Sequence, residues 1–256
     1  MNSQQSIHRV SHEIKRRKLQ VLRVTDVTPK MRRITLHGPD LTGFISLGTD
    51  DHIKLIFPQS AEEERAMEAM KLGAPDDGPR PAMRDYTPRR YDAESGELDI
   101  DFVLHGEGPA ATWATQAEPG QFLHIAGPRG SMIVPDMFDS YLLIGDETAL
   151  PAIARRLEGL AANRCALVVV EVADMGEQQV FQSQAQVDVI WIVRGEQDLV
   201  DVTRRLEMPD GQLYAWVATE AALSRRIRRV LLGEFGLDEA LVKCSGYWRL
   251  DERDEA

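Results

Sequence analysis

The hydrophobic pattern of this chain changes period once, near its midpoint, and that change restricts the fold more than any other feature. Before it, short apolar runs of strand length follow one another, separated by turn residues. Residues 97–105 (ELDIDFVLH) show the pattern best: strict alternation sets Leu98, Ile100, Phe102 and Leu104 on one face. Residues 19–37 hold two strand-like runs split at Thr28-Pro29, and 52–57 form another, closed by Pro58. Strand signals return at 84–91 and 121–126. Between them, 59–83 is a polar insertion with a short acidic helix candidate (AEEERAMEAMKL) and a Gly/Pro-rich stretch (GAPDDGPRP) that reads as loop. Residues 109–118 open on Pro109 and suit a short helix with proline in its first turn. Several short strands with turns between them predict a small β-barrel.

After the change, strands alternate with helical patterns. YLLIG (141–145) precedes the amphipathic stretch DETALPAIARRLEGLAAN, CALVVVEV (165–172) and VDVIWIV (187–193) follow, and QLYAWVAT (212–219) precedes EAALSRRIRRVLLGEFG. LVKCSGYW (241–248) closes the ordered chain, and DERDEA is an acidic tail. This alternation predicts a mostly parallel sheet with crossovers, an α/β domain. The boundary falls near Ile133–Asp136, which gives domains 17–134 and 135–256. Ligands of such a sheet lie beyond the carboxyl ends of its strands, and a crevice between two domains is a common cofactor site.

A length of 256 residues suits two modest domains, and 43% hydrophobic with 28% charged residues is ordinary for a globular chain. The net charge of −11 argues against a nucleic-acid binder or an anionic-membrane binder, since both need a positive footprint. No apolar run approaches the length of a membrane span, and the N-terminus lacks the apolar core of a signal peptide, so a cytoplasmic location is expected. Cys165 and Cys244 lie far apart in predicted strands and read as reduced core thiols. The six histidines show no metal-ligand spacing, and His8 and His12 fall in a polar tail expected to fray. Any metal this chain handles is expected to arrive chelated.

The strongest local signal is Arg84-Asp85-Tyr86-Thr87-Pro88-Arg89. In an extended strand Arg84 and Tyr86 share a face, and Thr87 and Arg89 share the other unless a bulge intervenes. The set offers a cation for phosphate, an aromatic plane for a ring and a hydroxyl for a ring nitrogen, which are the needs of a flavin dinucleotide. The same six residues also read as an exposed charged strand with one packed tyrosine.

This motif is followed in order by VLHGEGPAATWA, AGPRGS, LLIGDETALPAI and GYWR. Together they resemble the siderophore-interacting proteins, ferric-siderophore reductases of the ferredoxin–NADP reductase superfamily, from about Leu19 to Arg249. The resemblance implies an FAD-binding β-barrel followed by an NAD(P)H-binding α/β domain. It implies that Arg84 meets an FAD phosphate, Tyr86 the isoalloxazine and Thr87 its reactive nitrogen, with His105 near the adenosine or diphosphate. Gly108, Pro109 and Ala110 would open a helix toward the pyrophosphate, a sound arrangement because a helix N-terminus presents free N–H groups and partial positive charge. Where family members often carry a hydroxyl after Pro-Ala, this chain has Ala111 with Thr112 next. Trp113 reads as packing.

On the nicotinamide side, Gly145–Pro151 lies at a strand-to-helix turn without a GxGxxG fingerprint. Asp146 reads as a helix cap. Thr148 and Ala149 are the contact candidates by resemblance, and Arg194 follows a strand where related reductases meet the 2′-phosphate of NADPH; it also reads as a surface arginine. Ala218-Thr219-Glu220 replaces the family's Ala-Gly-Glu, and Asp251 stands where a glycine is usual. Lys54, Arg129 and Arg249 would ring a pocket for a negatively charged ferric chelate; each alone also reads as a solvated cation. Lys15–Lys18 and the arginines of 225–229 read as solvated runs.

The resemblance therefore implies reduction of siderophore-bound iron(III), with NADPH or NADH as donor and FAD as the relay. Three alternatives stay open: supply of electrons by ferredoxin, a flavin reductase with another acceptor, and a non-enzymatic siderophore-binding protein, which would take up no FAD.

Overall fold

The computed structural model describes residues 6–69, 81–104, 106 and 108–250, the side chains of residues 68 and 69 apart. The chain divides into two compact units, Met1–Pro135 and Asp136–Ala256.

The first unit contains β1 (His8–Ser11), β2 (Arg16–Thr28), β3 (Met31–His37), β4 (Ile53–Phe57), α1 (Ala61–Ala69), β5 (Ala82–Tyr86), β6 (Pro88–Asp92), β7 (Glu97–Val103), α2 (Pro109–Gln116), β8 (Phe122–Ala126) and β9 (Gly130–Ile133). Seven strands form one antiparallel sheet in the order β5-β4-β8-β2-β3-β7-β6, curled into a half-barrel. The expected single strand over 84–91 is two strands. Pro88 has no N–H to continue a ladder, so the chain leaves one edge strand at Tyr86 and enters the other at Pro88. Thr87, buried, is the link between those edges.

Alternation builds the core. Leu98, Ile100 and Phe102 of β7 are fully buried with Leu19, Leu36, Leu55 and Ile125, each such side chain stabilising the fold by roughly 1.5–3 kcal/mol. The intervening Asp99 and Asp101 are buried too, because each finds partners: Thr35 Oγ1 and Arg90 Nε donate to Asp99 at 2.6 and 2.8 Å, and Arg33 Nε donates to Asp101 at 2.7 Å.

Two expectations for the N-terminal segment are corrected. Residues 8–11 do not fray: β1 pairs with β9 antiparallel, and the His12 ring lies 2.8 Å from Ser131 Oγ. The solvated reading of Lys15–Lys18 fails at Arg17, which is buried. Its Nη1 donates to the Gly127 carbonyl at 3.1 Å and its guanidinium lies 5.2 Å from the centre of the Phe44 ring. Burial lowers its pKa. Arg17 thus holds the turn that carries Arg129, a turn that needs glycine at 127, where φ is +99°.

The second unit contains β10 (Ser140–Asp146), α3 (Leu150–Glu158), β11 (Cys165–Val172), β12 (Gln186–Val193), α4 (Leu199–Arg204), β13 (Leu213–Glu220), α5 (Ala221–Gly233) and β14 (Val242–Trp248). Its five strands are all parallel, in the order β12-β11-β10-β13-β14. The strand order reverses between β10 and β13, which makes their carboxyl ends the switch point of a doubly wound sheet. β10 is buried along its whole length, as its continuous apolar run requires. The β11–β12 connection holds only a short 3-10 turn, Met175–Glu177; Phe181 within it stacks on Trp191, with ring centres 5.8 Å apart. Both cysteines are free, but Cys165 is exposed rather than a core thiol. Cys244 is partly buried, and burial pushes its thiol up to about 12.

Candidate functional site

In the first unit, β5 lays out the RDYTPR motif against β4. Tyr86 sits opposite Ile53, Arg84 opposite Leu55, and Asp85 opposite Lys54. Tyr86 packs on Phe102 with ring centres 4.7 Å apart; Phe102 in turn meets Trp113 of α2 at 5.6 Å, and Trp113 meets Phe57 at 6.0 Å. One run of rings therefore ties β5, β7, α2 and β4 together, and Trp113 has a packing role. Burial pushes the Tyr86 phenol up to about 12, so it is neutral at physiological pH. Arg84 is exposed, donates to the Met83 carbonyl at 2.8 Å, and pairs with none of the described carboxylates.

Helix α2 starts without a side-chain cap. Gly108 holds the cap position in extended conformation and Pro109 follows it. Proline has no N–H, and the backbone bond from Thr112 N to Gly108 O begins the helical ladder at 2.9 Å. The N–H groups of Ala110 and Ala111 fall in the unpaired first turn. Pro109 and Thr112 also line a cleft of about 670 Å³ with Trp113, Gln116, Phe57 and Pro58. A free cation, a neutral aromatic plane tied to the same helix and two open backbone donors are a donor set suited to a flavin dinucleotide. His105 lies outside the described residues.

The second unit meets the same physical problem differently. The turn after β10 is a 3-10 turn, Glu147–Ala149, and Asp146 caps it: its Oδ1 accepts from Thr148 N at 2.9 Å and from Thr148 Oγ1 at 2.5 Å. Its Oδ2 accepts from Trp248 Nε1 at 2.8 Å. Burial pushes the Asp146 carboxyl up, against those bonds. Thr148 is therefore engaged within its own turn. Ala149 is fully buried, and a Cβ on Gly145 would come within 2.4 Å of the Ala149 Cβ, so Gly145 serves packing of the turn. Glu220 caps α5 through Ala222 N and Leu223 N, and Asp198 caps α4 through Val200 N and Asp201 N. Thr219, the β-branched departure, is fully buried.

Arg194 follows β12 and is held by two carboxylates. Its Nη2 donates to Glu147 Oε2 at 2.5 Å and its Nε to Glu171 Oε2 at 3.0 Å. Burial lowers the Arg194 pKa, but the bonds to Glu147 and Glu171 outweigh it and the net shift is upward. Glu171 moves up, because its burial outweighs the arginine. Sequence reasoning missed this clamp; its signal was an acid at the end of each of two adjacent strands, Asp146-Glu147 and Glu171, beside a third strand ending in arginine.

The three cations proposed for the chelate differ. Lys54 Nζ is paired with Asp85 Oδ2 at 2.7 Å. Arg129 is exposed in the turn held by Arg17, and its carbonyl accepts from His12 N at 2.9 Å. Arg249 is exposed just beyond β14, in the second unit.

Comparison with known proteins fits both halves. A model of the siderophore-interacting FAD-binding domain matches residues 20–132, and one of the siderophore-interacting protein matches 138–251. An NADPH-dependent ferric-chelate reductase of Escherichia coli (strain K12) is 36% identical over 244 residues, covering 94% of this chain and 95% of that protein. The ferric vibriobactin reductase ViuB of Vibrio cholerae is 33% identical over 260 residues, covering 96% and 95%. A crystal structure of a siderophore utilization protein from T. fusca superposes with a TM-score of 0.84 at 36% identity, covering 97% of this chain and all of that one. Matched in both units and along nearly their full length by these relatives, the chain belongs to the siderophore-interacting protein family.

Proposed function

We propose that this chain is an FAD-dependent, NAD(P)H-linked reductase of iron(III) held in siderophore complexes. The observation that carries the reading is the uncapped start of α2, joined by one run of rings to the strand that presents Arg84 and Tyr86. The Escherichia coli and Vibrio cholerae relatives, named as an NADPH-dependent ferric-chelate reductase and a ferric vibriobactin reductase, support it. Bound FAD supplies the conversion from a two-electron hydride donor to a one-electron metal acceptor. The chain supplies position and field. Arg84 and the N–H groups of Ala110 and Ala111 would hold the diphosphate, with Gly108 and Pro109 shaping the helix start and Thr112 following it. Tyr86 would give the isoalloxazine a neutral plane, and Thr87 would supply a hydroxyl to the flavin ring. Arg129, Lys54 and Arg249 attract an anionic chelate despite the net charge of −11. No side chain is needed to abstract a proton, and iron(II) leaves because siderophores hold it far less tightly.

No described helix is long and apolar enough to cross a membrane; release of iron in the cytoplasm is part of the same proposal. Thr148, Ala149 and Arg194 belong to the nucleotide side of the reading. Ferredoxin is the alternative donor, and the self-capped turn after β10 favours it.

The test is anaerobic. FAD-loaded protein is mixed with NADPH or NADH, and the visible flavin absorption is followed. A ferric siderophore and an iron(II) trap are then added. Bleaching followed by reoxidation and trapped iron(II) is expected. Bleaching only with reduced ferredoxin selects the alternative donor. Reoxidation by dyes or quinones but not by ferric siderophores rejects the acceptor, and protein that takes up no FAD overturns the reading.

A further inference from the structure

We infer that Glu147 and Glu171 set the nucleotide preference of this protein by holding Arg194, so that little binding energy is drawn from the 2′-phosphate that separates NADPH from NADH. This rests on the reading of the second unit as the nucleotide side. The three residues stand at the carboxyl ends of three adjacent strands: Glu147 just after β10, Glu171 near the end of β11 and Arg194 just after β12. That is the edge of a doubly wound sheet at which nucleotides bind. The Arg194 backbone is fixed beside β11, its N–H donating to the Val172 carbonyl at 2.8 Å.

Two separate positions of the guanidinium fork are already used, Nη2 by Glu147 and Nε by Glu171. The Glu147 side chain is 6% exposed and that of Glu171 13%, against 44% for Arg194, so the carboxylates are the fixed partners and the arginine is the group they restrain. One cation between two carboxylates leaves the cluster with a net negative charge. A phosphate arriving there must give up bonds already made and approach two acids of its own sign. At this edge Asp146 caps the 3-10 turn that leads into α3 and Glu220 caps α5, while α3 itself begins on Leu150-Pro151 without a side-chain cap. The charge needed to select NADPH is present in Arg194 and is neutralised by its neighbours. Glu147 and Glu171 act through Arg194 as positioning residues.

The experiment uses FAD-loaded protein and measures affinity for two probes, adenosine 2′,5′-bisphosphate and 5′-AMP, by isothermal titration. In the unaltered chain the two affinities are expected to agree within about threefold. Glu171→Gln frees one side of the fork, and the preference for the bisphosphate is expected to rise to about tenfold or more, the scale of a charge-assisted bond. Adding Arg194→Ala to that variant is expected to return the ratio to its starting value. Arg194→Ala alone is expected to change the ratio by less than twofold, and this arm decides the matter should Glu171→Gln fail to fold. A native preference above tenfold that Arg194→Ala abolishes overturns the inference. So does a folded Glu171→Gln protein with an unchanged ratio, or one to which neither probe binds. Flavin bleaching by NADH in the unaltered protein separates the two claims: where it persists, the proposed function stands even if the clamp fails.

Discussion

Two strand-to-helix junctions in this molecule solve the same problem in opposite ways. At the start of α2 the cap residue is Gly108, the next residue is Pro109, and among the described residues no side chain caps the first turn. At the turn after β10 the cap is Asp146, which takes up Thr148 N and Thr148 Oγ1 and also binds Trp248. The cations follow the same division. Arg84 meets no described carboxylate, whereas Arg194 is held by two. A helix start and a free arginine make an anion site only when the chain leaves them unsatisfied. The difference teaches that the start of α2 keeps its first-turn donors open, as the proposed FAD site requires, whereas the turn after β10 satisfies its own.

The largest expected effect falls on the open side. Arg84→Ala should weaken FAD binding on the order of a hundredfold, read by flavin fluorescence titration, since a charge-assisted phosphate contact is lost. An unchanged affinity would remove Arg84 from the cofactor site. On the closed side the expected loss is stability. Asp146→Ala removes a cap and the acceptor of a partly buried indole, costing about 2 kcal/mol in urea unfolding, while Asp146→Asn restores much of it. Because burial raises the Asp146 pKa, its titration favours the folded state at acid pH, and this contribution is lost as pH rises through the folded value. The deficit of Asp146→Asn relative to the native chain should therefore shrink from acid to neutral pH.

Tyr86 gives a similar pH test on the open side. Its phenol is raised to about 12 by burial, so the stability it contributes is present below about pH 10 and is lost as pH climbs toward 12. Against Tyr86→Phe, the native chain should lose about 2–3 kcal/mol across that window; parallel curves would mean that the ring is not buried. The smallest effects are expected among the chelate cations. Arg129→Ala should weaken an anionic ferric chelate about fivefold and leave a neutral one unchanged, whereas Lys54→Ala, already neutralised by Asp85, should act about twofold. Equal losses for charged and neutral chelates would count against a basic pocket.

The sequence shows these features unevenly, for physical reasons. Alternation in ELDIDFVLH reads directly as a buried face because the period of a strand is local, and the parallel sheet follows from alternating strands and helices. The split of RDYTPRRY at Pro88 was legible in principle, since proline cannot continue a ladder, but which edge each half joins depends on partners far away in sequence. Arg17 was misread because burial of an arginine depends on a carbonyl at Gly127 and a ring at Phe44. Cys165 was misread because it begins β11, where the buried run of that strand has not yet started. Asp146 was legible as a cap because the cap and the donor it binds are two residues apart. The clamp on Arg194 was not, because Glu147, Glu171 and Arg194 meet only once three strands lie side by side.

The contrast between the junctions is tested most directly by titrating FAD and riboflavin into the cofactor-free native chain and into Gly108→Asp, which gives α2 the carboxylate cap its counterpart has. In the native chain FAD should bind at least about a hundredfold more tightly than riboflavin, and Gly108→Asp should remove about tenfold of that advantage while leaving riboflavin affinity unchanged and the fold as stable or more so. Equal binding of FAD and riboflavin to the native chain, or an undiminished FAD advantage in a folded Gly108→Asp protein, would contradict the claim that the open start of α2 is where the dinucleotide is held.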